Sequence, residues 1–287
     1  MRIALLGTGL MGRPMAERLL DRGVALTVWN RTRSLAEPLA ARGARMADSP
    51  ASAMEDADAA ILMLRDGPVV RQVLFDGSPK PALGGRTVIQ MSTIGSAEST
   101  ALAADVEAAG GEYLEAPVLG STPQARDGKL QVMAGASPEL LGRWEPLLQH
   151  LGRVIPVGPV GSAATLKLAL NQFIAPLAMT FSAGLGMVRR KGIPIEAFLD
   201  ILRHSAFYAA SYDARLQRML ERDYANAFFP LELLQKDVEL VRAEARALGL
   251  GTDVIDAVCN ATARLVEQGL GRADYGAIYE AVDPARE

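Results

Sequence analysis

Lys167 and Asn171 stand one helical turn apart in the run Gly161-Ser162-Ala163-Ala164-Thr165-Leu166-Lys167-Leu168-Ala169-Leu170-Asn171. On a helix that i, i+4 spacing puts an ammonium and a carboxamide on one face, where both reach the same small molecule. The chemistry this pair suits is carbonyl reduction. As a hydride reaches the carbonyl carbon the oxygen becomes an alkoxide, and a neighbouring ammonium both stabilises that charge and supplies its proton. Burial and the positive end of the helix both help a lysine give up its proton near neutral pH. Asn171 is placed to hold a substrate oxygen or to orient the lysine. The competing use of Lys167 is as a surface lysine laying its stem along an apolar helix, but Leu166, Leu168, Ala169 and Leu170 leave little exposed face for that.

Hydride transfer needs a donor, and the amino-terminal residues supply a place for one. The apolar strand Arg2–Leu6 runs into Gly7-Thr8-Gly9-Leu10-Met11-Gly12. In a strand, loop, helix arrangement the first glycine permits the tight turn, the second lets backbone approach a pyrophosphate, and the third lets the helix pack on the strand. The phosphates then meet the free N–H groups of the helix beginning near Leu10. Glycine clusters also make ordinary turns. Here the cluster leads into an amphipathic stretch (Met11, Met15 and Leu19 against Arg13, Glu17, Arg18 and Asp21) and a second apolar run, Ala25–Trp29, which is the context a dinucleotide requires. An NAD-binding chain usually ends that second strand with Asp or Glu for the ribose hydroxyls; this one has Asn30-Arg31-Thr32. No acid is there to repel a 2′-phosphate, while Arg31 offers a planar fork of donors and Thr32 a hydroxyl, with Arg33 close by. At about 1.5–3 kcal/mol for a hydrogen bond to a charged group, one good arginine contact favours NADPH over NADH by roughly one to two powers of ten. The other reading makes Arg31 and Arg33 solvated loop charges.

Up to about residue 158, apolar runs of strand length (59–64, 87–91, 113–116, 130–134, 154–157) alternate with helical stretches such as 96–109 and 138–150. That alternation predicts an α/β fold, a Rossmann-type doubly wound, mostly parallel sheet. After Gly158-Pro159-Val160-Gly161 the strand pattern stops, and helices are expected over about 162–191, 194–203, 212–221, 231–248 and 253–269. The expected organisation is therefore an NADP-binding domain over 1–160 and an all-α domain over 161–287, joined by a long helix from Ser162. A ligand is expected where the carboxyl ends of the strands face that helix.

Composition narrows the class. A chain of 287 residues with 49% hydrophobic content is long enough for two cored domains, and a net charge of −3 gives no electrostatic footprint for nucleic acid or an anionic membrane. The single cysteine, Cys259, excludes an intrachain disulfide and is expected in the core. No secretory signal pattern opens the chain, so a cytoplasmic location is expected. The charge-free stretch 173–188, followed by Arg189, Arg190 and Lys191, falls short of a bilayer span. A helix buried within the protein or between subunits suits it better. Its apolar surface exceeds what one small helical domain hides, which predicts a homodimer, with a homotetramer as the other arrangement. With His150 and His204 the only histidines and no Gly-x-Ser-x-Gly, neither a catalytic metal nor triad hydrolysis is expected.

Five stretches, in order, resemble the β-hydroxyacid dehydrogenase family, which includes 3-hydroxyisobutyrate dehydrogenase, tartronate semialdehyde reductase and the glyoxylate/succinic semialdehyde reductases. They are Gly7 to Gly12 with Asn30-Arg31-Thr32, Met91-Ser92-Thr93, Glu115-Ala116-Pro117-Val118-Leu119-Gly120-Ser121, Gly161 through Lys167 to Asn171, and Phe229-Pro230-Leu231 with Lys236-Asp237. The glyoxylate/succinic semialdehyde branch is most similar, through Asp127-Gly128-Lys129-Leu130, Phe229-Pro230-Leu231 and Gly269-Leu270-Gly271 to Tyr275-Gly276-Ala277.

The resemblance implies an NADPH-dependent reductase of a small aldehyde or keto acid. It makes Lys167 the proton donor and Asn171 a substrate ligand, and sets Thr93 near nicotinamide and substrate. Gly7, Gly9, Leu10, Met11, Gly12, Asn30, Arg31, Thr32 and Leu64 join the cofactor-binding set, Lys236 touches the cofactor, and Asp237 orients it beside the substrate. Thr93 as a cap for the helix near Ser96, and Lys236 with Asp237 as a solvated pair, are the plainer alternatives. One departure bears on substrate. Leu119 stands where the family commonly has a serine that holds the substrate carboxylate, leaving the backbone N–H groups of 119–121, Gly120 included, and the Ser121 hydroxyl for an anion. The leucine also favours a less polar or bulkier substrate. Tyr208 and Tyr212, in or after His204-Ser205-Ala206-Phe207-Tyr208, either line the substrate side or belong to a helix-connecting loop. Two rival functions share the fold: an imine reductase, which usually lacks the lysine, and a catalytically silent NADP-binding module.

Overall fold

The computed structural model describes residues 1–77 and 80–285. It divides into two compact units, Met1–Leu168 and Ala169–Glu287.

The first unit is built on a nine-stranded sheet of β1 (Arg2–Leu6), β2 (Ala25–Trp29), β3 (Arg45–Met46), β4 (Ala59–Leu62), β5 (Thr87–Gln90), β6 (Glu112–Glu115), β7 (Val118–Leu119), β8 (Leu130–Gly135) and β9 (Gly152–Gly158), in the order β3-β2-β1-β4-β5-β6-β8-β7 with β9 on β8. The pairs from β3 through β6 are parallel, β8 runs antiparallel to β6 and β7, and β9 is parallel to β8. β4 and β5 are buried throughout. That is why the sequence shows them as continuous apolar runs rather than as alternation. Each expected strand is present; β3 and β7 were not foreseen, because two residues carry no period. One face of the sheet packs Met15, Leu19, Val28, Leu39, Trp144 and Leu148, and the other Met54, Val70, Leu74, Leu102, Val106 and Tyr113. Burying each such large side chain contributes about 1.5–3 kcal/mol. Strand order turns back between β1 and β4, so the loops after these two strands diverge and leave a crevice at their carboxyl ends.

The second unit is all helical: Ile174–Arg190, Ile195–Arg203, Ala210–Glu221, Leu231–Ala247 and Asp253–Glu267, then short turns to Val282. The joining helix expected as one piece over 162–191 is interrupted at residues 172–173, giving Ser162–Asn171 and Ile174–Arg190. Pro176 is the cause, since it has no N–H for the Gln172 carbonyl one turn back. The whole stretch Ser162–Arg190 is nevertheless long and apolar enough to cross a bilayer, with a mean hydropathy of 1.3 over its most apolar part and 39% of that part buried within the chain. This corrects the expectation drawn from 173–188 alone. Its buried face, with Ala175, Ala178, Phe181 and Leu185, belongs to the core of the helical unit alongside Leu199, Met219, Leu231, Leu234 and Cys259. Tyr212 stacks on Phe181 in that core at 4.7 Å, and burial pushes the Cys259 thiol up to about 11.

Candidate active site

At the end of β1 the chain turns through Gly7, whose φ of +100° only glycine adopts freely. A Cβ there would lie 2.2 Å from the Met63 carbonyl oxygen, and one on Gly12 would lie 1.8 Å from the Gly7 oxygen. The loop is therefore clamped between the start of the helix Gly12–Asp21 and the end of β4. Gly9 differs, for nothing lies within 4 Å of the position its Cβ would take. Open backbone of this kind at the start of a helix suits a pyrophosphate. Leu10 is exposed and Met11 half-buried beside it.

Asn30 is tied into this loop. Its Oδ1 accepts the Thr8 N–H at 3.0 Å, and its Nδ2 donates to the Thr32 carbonyl at 2.9 Å. The side chain thus joins the glycine loop to the end of β2. Arg31 and Thr32 are exposed, and Arg31 makes no ion pair among the described residues. Arg33 instead pairs with Asp48.

Leu64 and Thr93 follow β4 and β5, and a polar knot that the sequence did not suggest holds their backbones. Gln90 accepts the Ser92 N–H at 2.8 Å and donates to the Ser92 carbonyl at 3.0 Å, while the Ser92 hydroxyl accepts the Leu64 N–H at 2.8 Å. Gln90 and Ser92 are buried and Thr93 is half-buried. The helix Ser96–Ala108 takes its cap from Glu98, which accepts the Gly95 N–H at 2.9 Å.

Leu119, half-buried, lies in β7 opposite Gln131, and Gly120 follows with φ +137°. Ser121 precedes the helix Thr122–Asp127, and Gln124 Oε1 accepts both its N–H (3.0 Å) and its hydroxyl (2.5 Å). Two of the donors expected for an anion are thus engaged by a neutral carboxamide oxygen, which a carboxylate displaces only by making the stronger, charge-assisted bonds.

Lys167 lies on the helix Ser162–Asn171 and is 8% exposed; Asn171 is 3% exposed. A solvated surface lysine is not what this is. Asn171 Nδ2 donates to Asp237 Oδ2 at 2.8 Å, and Asp237 Oδ1 is ion-paired with Lys236 at 2.7 Å. Asp237 is buried and Lys236 nearly so, which sets them apart from a solvated pair. Phe229-Pro230-Leu231 is held against 273–275, where the Tyr275 N–H donates to the Phe229 carbonyl and the Leu231 N–H to that of Ala273. Tyr208 is part of the connection between helices and donates to Asp213 at 2.6 Å. Among the described residues no three His, Cys, Asp or Glu side chains gather closely enough to hold a metal. A groove of 920 Å³ in the first unit, lined by Leu140, Leu141, Pro156 and Pro159, contains none of these residues.

Residues 2–160 match the NAD binding domain of 6-phosphogluconate dehydrogenase, and residues 161–282 match the NAD-binding domain of NADP-dependent 3-hydroxyisobutyrate dehydrogenase. Glyoxylate/succinic semialdehyde reductase 1 of Arabidopsis thaliana is 33% identical over 290 aligned positions spanning all of both chains. A 3-hydroxyisobutyrate dehydrogenase from Salmonella typhimurium superposes with a TM-score of 0.88 at 26% identity, covering 97% of this chain and 99% of the other. An imine reductase from Myxococcus stipitatus, solved with NADP+, shares the fold at a TM-score of 0.66 and 24% identity over 98% of this chain and all of its own.

Proposed function

The chain belongs to the β-hydroxyacid dehydrogenase family of NAD(P)-dependent oxidoreductases, and on that premise we propose that it uses NADPH to reduce a small aldehyde or keto acid. The bound nicotinamide supplies the hydride. Gly7, Gly9 and Gly12 shape the backbone that takes the pyrophosphate, and the exposed Arg31 and Thr32 meet the 2′-phosphate, where no carboxylate opposes them.

One observation carries the reading: an ammonium almost out of water, Lys167, one helical turn from a carboxamide that a buried carboxylate, Asp237, holds in place. With one of its two N–H groups donating to Asp237, Asn171 keeps its oxygen as an acceptor toward the lysine side. Of the pair only the ammonium is acidic enough to part with a proton, and Lys167 gives it to the carbonyl oxygen as charge develops there. Asn171 accepts from the ammonium or from the hydroxyl formed, and Asp237 acts through Asn171. Leu119 and the engagement of Ser121 by Gln124 favour a less polar or bulkier carbonyl compound over the smallest keto acids.

Parallel assays of NADPH oxidation with glyoxylate, succinic semialdehyde and a cyclic imine test this. The expected result is turnover of an aldehyde well above that of the imine. Tight NADPH binding with no aldehyde reduced contradicts it. The imine reductase reading rests on Leu119, and Lys167 opposes it.

We also infer a homodimer, through the face of Ile174–Arg190 that its own unit leaves uncovered, where Met187 is 68% exposed. Light scattering that returns a monomer contradicts this.

A further inference from the structure

Glu115 has no part in the chemistry so far, yet its place is unusual. It closes β6 in the middle of the sheet, opposite Gln90 of β5 and Gly135 of β8, and is 1% exposed. Its Oε2 accepts the N–H of Gly161 at 2.9 Å and the N–H of Ala163 at 3.1 Å, the opening of the helix that carries Lys167. Two glycines make this joint. A Cβ on Gly135 would fall 2.5 Å from Oε2, and Gly161 turns with φ +96°. Lys167 is one turn beyond Ala163 and leaves the helix on the same face. In the other direction, Glu115 leads through Ala116, Pro117 and Val118 to Leu119, Gly120 and Ser121. One carboxylate therefore holds the root of the 116–121 loop against the base of the lysine helix.

We propose that Glu115 is a positioning residue for the reduction: it fixes the Lys167 helix to the strand that launches the 116–121 loop, and its charge offsets the positive helix end so that Lys167 keeps its proton until the alkoxide forms. The proposal rests on Lys167 being the proton donor. A purely structural joint is made as well by a neutral acceptor, and burial of the carboxyl raises its proton affinity, with the Ser99 hydroxyl and the N–H groups of Gly161, Ala163 and Ala164 opposing. Tyr113 of its own strand couples to it, and the residues that β5 and β8 set opposite it, Gln90 and Gly135, carry no charge. A carboxylate kept where its ionisation costs stability is what function, rather than folding, selects.

Glu115→Gln and Glu115→Asp, with Lys167→Met beside them, test this through kcat against pH, the Kd of NADPH and a melting curve. In E115Q kcat is expected to fall about tenfold with NADPH affinity kept within about twofold, and the alkaline limb, where the proton donor is lost, to move to lower pH by about half a unit or more. E115D keeps the charge and shortens the reach, so its kcat falls while the limb stays in place. Should E115Q fail to fold, E115D decides alone, and wild-type kcat there overturns the proposal. A limb absent in K167M but unmoved in E115Q overturns the role of Glu115 only. A limb that survives in K167M overturns the lysine assignment and this inference with it.

Discussion

Asn171 Nδ2 donates to Asp237 Oδ2 at 2.8 Å in the interior of the helical unit. A carboxylate only accepts, so this bond settles which end of the carboxamide is nitrogen. Its oxygen is left buried and accepts no hydrogen bond among the described residues. That oxygen can accept from a neighbouring donor, while one of the two amide N–H groups is taken by Asp237.

Asn171→Asp sets two buried carboxylates against each other and forces one to hold a proton. Misplacing the reacting groups costs on the order of 10²-fold in rate, so kcat of N171D is expected to fall by about that factor with NADPH affinity unchanged. Steady-state kinetics beside a fluorescence titration of NADPH measure both. An N171D enzyme with more than a tenth of wild-type kcat would remove Asn171 from the mechanism.

Arg31 and Asn30 are adjacent and predicted to fail differently. Arg31→Ala loses a charge-assisted contact with the 2′-phosphate, which weakens NADPH by about 10- to 100-fold and leaves NADH within about twofold. Asn30→Ala removes the acceptor of the Thr8 N–H and loosens the loop for both dinucleotides alike. Dissociation constants for the two cofactors separate the cases, and equal losses in R31A would contradict the phosphate assignment.

Burial pushes the Glu115 carboxyl above its usual 4.5. A group that holds its proton more tightly folded than unfolded adds stability below the unfolded value, and that stability is lost as the pH rises through the folded value. Glutamine has no such titration. The melting temperature of E115Q, taken relative to wild type, is therefore expected to rise from pH 4 toward pH 8. A difference that stays flat over this range contradicts the sign of the shift.

Spacing made much of the candidate site legible. Glycine at 7, 9 and 12, the missing acid at Asn30 and the i, i+4 pair of Lys167 and Asn171 are all local patterns with local reasons. The alternation of strand and helix runs marked the sheet for the same cause. What stayed hidden depends on partners distant in sequence. Nothing near Asn30 announces that it holds Thr8, nothing near Asn171 announces Asp237, and Glu115 reads as one more residue of a strand until Gly161 and Ala163 close on it. The knot of Gln90 with Ser92 and Leu64 stayed hidden in the same way, since nothing in Thr87–Gln90 announces those partners. Pro176 did mark the break at 172–173, since a proline removes the hydrogen bond one turn earlier.

The most direct test is Lys167→Ala, assayed for kcat with the best aldehyde and for NADPH affinity in the same preparation. Loss of a general acid lowers kcat by about 10²–10⁴-fold, with NADPH bound within about twofold of wild type. A K167A enzyme that reduces the aldehyde at the wild-type rate would show that the proton comes from elsewhere.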